Sequence, residues 1–128
     1  MRQNNIIILN GISQVTLIDN AMVETRIEKD REFELKDAQQ MVDTVQTIGN
    51  SRKFLHLTIF GERTVPSKEA RQFSISKSGS QFKLAEAIVV QSLSQKMVFN
   101  FMINVERPSV RTKLFTSIDE AKKWLYSL

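Results

Sequence analysis

Only a few side chains in this sequence have the type and spacing that catalysis or metal binding requires. His56 is the single histidine, and it has neither a second histidine at metal-ligand spacing nor a serine in a nucleophile motif beside it. We therefore expect His56 to be a buried strand residue rather than a catalytic group or a ligand. The chain contains no cysteine, which excludes disulfides, thiolate nucleophiles and cysteine-based metal sites.

Two pairs of neighbouring carboxylates fit structural roles better than general acid–base catalysis. Glu32 with Glu34 fits the solvent-facing side of a strand, and Asp119 with Glu120 fits the first turn of a helix. The chain has no phosphate-binding loop, no glycine-rich dinucleotide turn and no HExxH motif. The sequence therefore predicts a protein that has no catalytic residues, metal ion or cofactor and is not an enzyme.

Charge is distributed unevenly along a chain whose formal net charge is +4. Residues 1–50 carry five Lys or Arg against eight Asp or Glu, whereas residues 51–128 carry thirteen against six. This asymmetry fits an anionic partner for the second half, or a domain with an acidic and a basic side, which favours self-association. Because no dense basic run alternates with aromatic residues, we expect no nucleic-acid partner.

Length and hydropathy favour one compact domain, since the chain has 128 residues of which 41% are hydrophobic. No apolar run approaches the roughly 18 residues of a membrane span, and the run at residues 6–9 is too short for a signal peptide. We therefore expect a cytoplasmic protein without stable membrane insertion. Residues 1–12 are expected to form an N-terminal segment, either a short strand or a packing arm, ahead of a single domain over residues 13–128.

Hydrophobic periodicity predicts an α/β fold in the order ββαβαβαβα. Repeated strand–helix units imply right-handed crossovers and a mostly parallel, mixed sheet of five strands, with about four helices on its two faces. The strand at residues 54–60 is apolar on both sides, which is typical of a central strand covered by helices. The predicted strands are residues 14–18, 22–27, 54–60, 84–90 and 113–115, and the predicted helices are residues 36–48, 92–105, 118–128 and one that begins at Ser67.

The predicted helix at residues 92–105 is more apolar than one buried face requires. The stripe expected to face the core consists of Leu93, Met97, Phe101 and Val105. Phe99, Met102 and Ile103 widen the apolar surface, and if they face outward they form an interface for a partner, a dimer or a lipid surface. The alternative is that loops or the N-terminal segment cover them.

In an open parallel sheet, ligands gather beyond the carboxyl ends of the strands. The predicted topology brings hydroxyl groups and a guanidinium to that edge, near helix N-termini that suit a small anion or a phosphorylated group. The residues predicted there are Arg63, Ser92, Ser94 and Ser117. Because most helices have hydroxyl caps, helix capping is the alternative role of these serines.

The C-terminal half contains the segments AEAIVV, SLSQKMVFNF and RPSVRTKLFTSIDEAKKWL, the last of which is a strand end followed by a capped helix. Together with the order of elements over about residues 13–128, these segments resemble the STAS, or SpoIIAA-like, family of anti-sigma-factor antagonists and sulfate-transporter tails. More narrowly, they resemble bacterial STAS/SEC14-like proteins of unknown function. The resemblance implies a fold and an interaction role rather than catalysis.

In signalling members of that family, a partner kinase phosphorylates a serine or threonine at the start of the helix after the third strand, which breaks a complex. By position, the resemblance implies Ser67 as the switch residue, with Thr64 second. A phosphate on Ser67 would lie on free N–H groups at a helix start, with Lys68, Arg63 and Arg71 close in sequence. The alternative is that Ser67 is only an N-cap.

These observations predict a non-enzymatic, STAS-like interaction or regulatory module that recognises a protein partner. One expected form is a homodimer through the helix at residues 92–105 or through the N-terminal segment. The alternative is a carrier of a small ligand or lipid, with a pocket between that helix and the sheet. A solid core with an exposed patch at Phe99 favours the module, and an enclosed apolar cavity favours the carrier.

Overall fold

A computed structural model of the protein describes residues 12–128 and, for the strand Asn5–Leu9, the backbone pairing. In this part of the chain, a six-stranded sheet, a two-stranded sheet and four α-helices are present, and the third α-helix continues as a π-helix. The strands are β1 (Asn5–Leu9), β2 (Ser13–Ile18), β3 (Met22–Ile27), β4 (Glu32–Phe33), β5 (Phe54–Phe60), β6 (Val65–Pro66), β7 (Lys83–Val89) and β8 (Arg111–Phe115). The helices are α1 (Leu35–Ile48), α2 (Lys68–Ile75), α3 (Leu93–Phe101), the π-helix (Met102–Glu106) and α4 (Ile118–Tyr126).

The large sheet has the strand order β1-β2-β3-β5-β7-β8, antiparallel from β1 to β3 and parallel from β3 to β8. Asp19, Asn20 and Ala21 join β2 to β3, and the φ angles of 52° and 55° at Asp19 and Asn20 are those of a type I′ turn, which the hydrogen bond from the Ala21 N–H to the Ile18 carbonyl oxygen closes. The five predicted strands and their mostly parallel arrangement are confirmed, and β1 adds a sixth strand at the antiparallel edge. Residues 1–4, 10 and 11 lie outside the described residues, so the predicted division at residue 12 stays a prediction.

Helices cover both faces of the sheet because its central strands are apolar on both sides. On one face, α4 packs against β5 and β7 around Leu125. On the other face, two apolar clusters lie beneath α1, α2 and α3. The first contains Phe60 and Phe99, and the second contains Phe54 and Val45.

Helix α3 buries the side opposite to the one that its i, i+4 pattern predicts. Phe99 and Met102 are only 2% and 3% exposed, so the expectation that they face outward as an interface is wrong. Ile103, the third residue of that predicted interface, packs against the same buried cluster. The predicted core stripe is instead exposed, at 72% for Leu93, 66% for Met97, 48% for Phe101 and 63% for Val105.

The fully buried Gln95 accounts for this orientation. Its side-chain oxygen accepts hydrogen bonds from two backbone N–H groups at the helix start, and its amide donates to the carbonyl oxygens of Gly61 and Thr64 at 2.8 and 2.9 Å. Phe99 and Met102 follow four and seven residues later, on the same side of the helix. The polar anchor at Gln95 therefore turns the Phe99 side toward the sheet.

Candidate functional site

A partly enclosed cavity of about 60 Å³ lies between the sheet and the helices on the α1–α2 face. Strands β3, β5 and β7 form its floor, α1 and α2 form its roof, and the segment before β7 closes one side. From the predicted helix at residues 92–105, only Phe99 and Met102 reach this cavity. The cavity therefore lies chiefly beneath α1 and α2, and not in the predicted position between α3 and the sheet.

Four polar side chains meet on the floor of this cavity: His56 and Thr58 from β5, and Lys83 and Glu86 from β7. We call them the polar floor. Thr58 Oγ1 donates to Glu86 Oε2 at 2.7 Å, and Lys83 Nζ donates to Glu86 Oε1 at 2.9 Å. Lys83 Nζ also donates to the carbonyl oxygen of Ser74 at 3.3 Å. Because the side chains of Lys83 and Glu86 are only 11% and 12% exposed, water hardly screens this ion pair.

Strand pairing brings the polar floor together. His56 and Glu86 are Cα partners in the parallel pairing of β5 with β7, and Thr58 projects from the same face as His56 because side chains alternate along a strand. These residues separate the two apolar clusters on the α1–α2 face, and Met41 packs against both clusters. The polar floor therefore occupies a gap in the apolar core, and the cavity lies at this gap.

His56 is held in one tautomer by its hydrogen bond. Its Nε2 lies 3.0 Å from the carbonyl oxygen of Phe82, and a carbonyl only accepts, so Nε2 carries the proton. Burial, together with the Lys83 ammonium, lowers the pKa of His56 to about 4 against the opposing effects of Glu86 and the Phe82 carbonyl. The ring is therefore neutral at pH 7, and Nδ1 is an acceptor with a free lone pair.

Glu86 remains ionised although it is buried. Burial by itself would raise the pKa of Glu86, but the Lys83 ammonium, the His56 ring and the hydrogen bonds from Lys83 and Thr58 together lower the pKa below its usual value. Since the charges of Lys83 and Glu86 compensate each other, the polar floor offers hydrogen-bonding atoms without a net charge.

A second ion pair closes the cavity on the α2 side. Arg71 donates through Nε to Glu106 Oε1 at 2.6 Å and through Nη2 to Oε2 at 3.1 Å, which joins α2 to the π-helix. The guanidinium carbon also lies 5.9 Å from the ring centre of Phe101, within the range of a cation–π contact. Arg71 therefore has a carboxylate partner and is not held ready for a phosphate on Ser67.

The outer side of α3 is the second feature of functional interest. Leu93, Met97, Phe101 and Val105 recur every four residues and form an exposed apolar row, which we call the α3 stripe. The other exposed residues between positions 93 and 105 are Ser94, Asn100 and Asn104. The exposed residues of this helix are therefore apolar or neutral polar, and the one lysine of the segment, Lys96, is half-buried.

The predicted switch residues differ in accessibility. Ser67 is half-buried and caps α2, its Oγ accepting from the backbone N–H of Ala70 at 3.1 Å. Thr64 is fully buried; its hydroxyl donates to the Glu28 carbonyl oxygen at 2.5 Å and accepts from the Arg31 N–H at 3.0 Å. A kinase would have to open this turn to reach Thr64. The switch role of Ser67 stays a prediction.

Arg63, predicted at an anion-binding edge, has two carboxylate partners. Its guanidinium donates to Asp30 and to Glu62. The hydrogen bond from Arg63 lowers the pKa of Asp30 below its usual value. The positive charge of Arg63 is therefore already compensated within the protein.

The predicted edge serines lie at the first turns of helices. Ser92 caps α3 and Ser117 caps α4, each accepting a hydrogen bond from the backbone N–H three residues later, at 3.2 and 3.3 Å. Ser94 is exposed in the first turn of α3. Capping thus accounts for Ser92 and Ser117, and anion binding at this edge stays a prediction.

Sequence reasoning missed Lys83, Glu86 and Gln95. Glu86 is the only charge in the apolar run of residues 84–90, just as His56 interrupts the apolar strand at residues 54–60. Polar residues inside two central strands are a signal for a buried polar network. For Gln95 the signal was its place three residues after Ser92, which matches a capping box.

The described part of the chain was also compared with what a membrane-spanning helix and a metal site require. Over residues 12–128, no helix is long and apolar enough to cross a membrane. In the same range, no three side chains of the types His, Asp or Glu converge so that they could hold a metal ion.

Comparison with known proteins identifies the fold. The chain is similar to an uncharacterized protein from the DUF3478 family with a SpoIIAA-like fold, from Shewanella loihica PV-4, with a TM-score of 0.61 over 98% of this chain and 97% of that chain. The sequence identity is 13%, so the likeness shows the fold alone, and it confirms the predicted SpoIIAA-like architecture. Comparison with curated proteins gave no match. A family model described as "Domain of unknown function (DUF7793)" matches residues 16–128.

Proposed function

We propose that this chain, which belongs to the DUF7793 family, is a non-enzymatic SpoIIAA-like interaction module that binds a protein through the α3 stripe. The observation that supports the proposal is the exposure of four large apolar side chains on one side of a helix. Leaving such side chains in water forgoes roughly 1.5–3 kcal/mol each, and contiguous exposed apolar surface marks sites of association. At a rise of about 1.5 Å per residue, the stripe is about 18 Å long.

The partner that the stripe fits best is a second copy of this chain. In a symmetric dimer the same patch packs against itself, so any charge on it would meet an equal charge. The exposed positions between residues 93 and 105 carry no charge and Lys96 is half-buried, which permits self-packing although the chain has a net charge of +4. Antiparallel packing of two α3 helices would place Met97 and Phe101 of each copy near the symmetry axis.

Sedimentation velocity over a series of protein concentrations tests this dimer. We expect the wild type to shift from monomer to dimer as its concentration rises, and the double variant Met97→Ser/Phe101→Ser to remain monomeric. The matched control is Tyr126→Ser, whose side chain is 55% exposed on α4, the helix on the other face of the sheet. This control should behave like the wild type. A wild type that remains monomeric at millimolar concentration would overturn the proposed dimer.

A further inference from the structure

We propose that the cavity above the polar floor binds a small alcohol, whose hydroxyl group contacts His56 and Lys83 and whose apolar body lies against α1 and the start of the π-helix. This site lies on the inner side of the helices and does not depend on the α3 stripe or on a dimer. Its chemistry follows from one acceptor, one donor and the apolar walls.

His56 supplies the acceptor. Its Nε2–H donates to the Phe82 carbonyl oxygen, and no described residue donates to Nδ1. In the described part of the chain, the only fully enclosed side-chain polar atom without a hydrogen-bond partner is Ser13 Oγ. His56 Nδ1 also has no partner there, so it is not fully enclosed and must border open space. Because His56 is 6% exposed and lines the cavity, that open space is the cavity.

Lys83 supplies the donor. Its ammonium has three N–H groups, of which one is given to the Glu86 carboxylate and one to the Ser74 carbonyl oxygen. No other described residue accepts from this ammonium, so the third N–H is available to a ligand in the cavity that Lys83 lines. A hydroxyl group both donates and accepts, so it suits His56 Nδ1 and the Lys83 ammonium alike. A carboxylate cannot donate to Nδ1 at neutral pH and is repelled by Glu86.

The walls above the polar floor are mainly apolar, with Met41 and Val42 on α1 and Met102 on the π-helix, and Ile88 lies beside the polar floor on β7. Arg71 also lines the cavity, but its guanidinium is paired with Glu106. A cavity of about 150 Å³ holds the six carbons of benzene, so a volume of about 60 Å³ has room for about two to three non-hydrogen atoms. The site therefore accepts a hydroxyl group with a body of about one or two carbons. A lipid acyl chain is far too large for it.

Nuclear magnetic resonance titration with ethanol tests this site. We expect saturable shifts of the His56 ring nitrogens and of the methyl groups of Ile88 and Met102, and no saturation with the matched acid, acetate. His56→Phe keeps an aromatic ring and removes the acceptor, so it should weaken binding about tenfold, as expected for one buried hydrogen bond. Ala38→Leu fills the cavity from α1 and should abolish binding while leaving His56 and Lys83 in place.

The wild-type titration decides the proposal even if neither variant folds. Shifts that do not saturate, or equal affinity for the alcohol and the acid, would overturn it. So would an unchanged affinity in a folded His56→Phe variant, or Overhauser contacts from water alone at the polar floor when the alcohol is in excess. Because neither Met97 nor Phe101 lines the cavity, failure of the dimer test does not affect this outcome.

Discussion

At the floor of the cavity, Lys83 and Glu86 form an ion pair inside a mainly apolar core. Either charge would be costly to bury alone, because the core solvates it far less than water does. Together they are compensated, since Thr58 and Ser74 satisfy further hydrogen bonds of the pair. Removing either Lys83 or Glu86 alone would therefore leave a buried charge without its partner and destabilise the fold.

We expect Lys83→Met to lower the free energy of unfolding by about 3 kcal/mol, because it leaves the Glu86 carboxylate buried without its partner. The double variant Lys83→Met/Glu86→Leu should recover much of that loss, since it removes both charges and fills the space with apolar groups. Urea unfolding of the single and double variants measures both effects. Additive losses in the double variant would mean that the two side chains are not coupled.

The free energy of unfolding should depend on pH through the protonation of His56. Its folded-state pKa of about 4 lies below the ordinary value of 6.5, so protonation favours the unfolded chain. The stabilisation from the neutral ring is complete above pH 6.5 and is lost as pH falls towards 4, by about 3 kcal/mol in total. Urea unfolding from pH 7 to pH 4 should show this loss in the wild type relative to His56→Phe. Parallel pH profiles of the two proteins would contradict it.

Single residues in this site were partly predictable. The apolar strand at residues 54–60 predicts a buried His56, and the structure places it at 6% exposure on β5. Its neighbours were not predictable in the same way, because Lys83 and Glu86 lie 27 and 30 residues further along the chain. Only the pairing of β5 with β7 places Glu86 beside His56.

At the scale of elements, α3 shows that one apolar pattern can fit two orientations. The row from Leu93 to Val105 has helical spacing, and so has the row that includes Phe99 and Met102. Hydrophobicity alone does not distinguish them. The buried amide of Gln95 does, because it binds the turn after β5 and would lose these hydrogen bonds if the helix were rotated.

Paired substitutions on α3 test this orientation. Phe99→Ala should lower the free energy of unfolding by about 3–5 kcal/mol, because it leaves a cavity in the core. Phe101→Ala should change it by less than about 1 kcal/mol, since this ring is 48% exposed. Urea unfolding of the monomer at low concentration compares the two. Similar losses in both variants would contradict the observed orientation.

The turn after β5 is closed by its own contacts. A Cβ atom on Gly61 would lie 2.4 Å from the backbone nitrogen of Lys29, so the close approach of the two segments requires glycine. Thr64 and Gln95 hold the rest of the turn through buried hydrogen bonds. At the position where the family resemblance implies a switch, this chain has a turn that is held by the buried Thr64 and Gln95, while Glu62 and Arg63 are exposed.

At the scale of the whole molecule, charge and apolar surface are separated. The chain has a net charge of +4, whereas the exposed residues of α3 carry none and its one lysine, Lys96, is half-buried. Two copies that approach through the exposed side of α3 meet apolar surface locally and weak repulsion at longer range. The proposed dimer therefore depends on apolar burial and not on ion pairs.

Raising the salt concentration should consequently strengthen the dimer or leave it unchanged. Added salt screens the repulsion between two positively charged copies, since the Debye length falls from about 10 Å at 0.1 M to about 3 Å at 1 M. Sedimentation equilibrium at low and high sodium chloride measures the dissociation constant. Dissociation on adding salt would indicate an interface built on ion pairs, which would contradict the proposed use of the α3 stripe.

Local sequence patterns were sufficient to predict the order of elements and the central strand β5, and the family resemblance implied the SpoIIAA-like architecture. The order of elements and the central strand follow from periodicity and turn chemistry, such as the Asp19-Asn20 hairpin, which act within a few residues of each other. Long-range packing was needed to establish which side of α3 is buried and that His56, Lys83 and Glu86 share a cavity. Those outcomes depend on contacts between residues about 30 positions apart, such as Gln95 with Gly61 and His56 with Glu86. A local sequence pattern does not predict which of several possible long-range contacts forms.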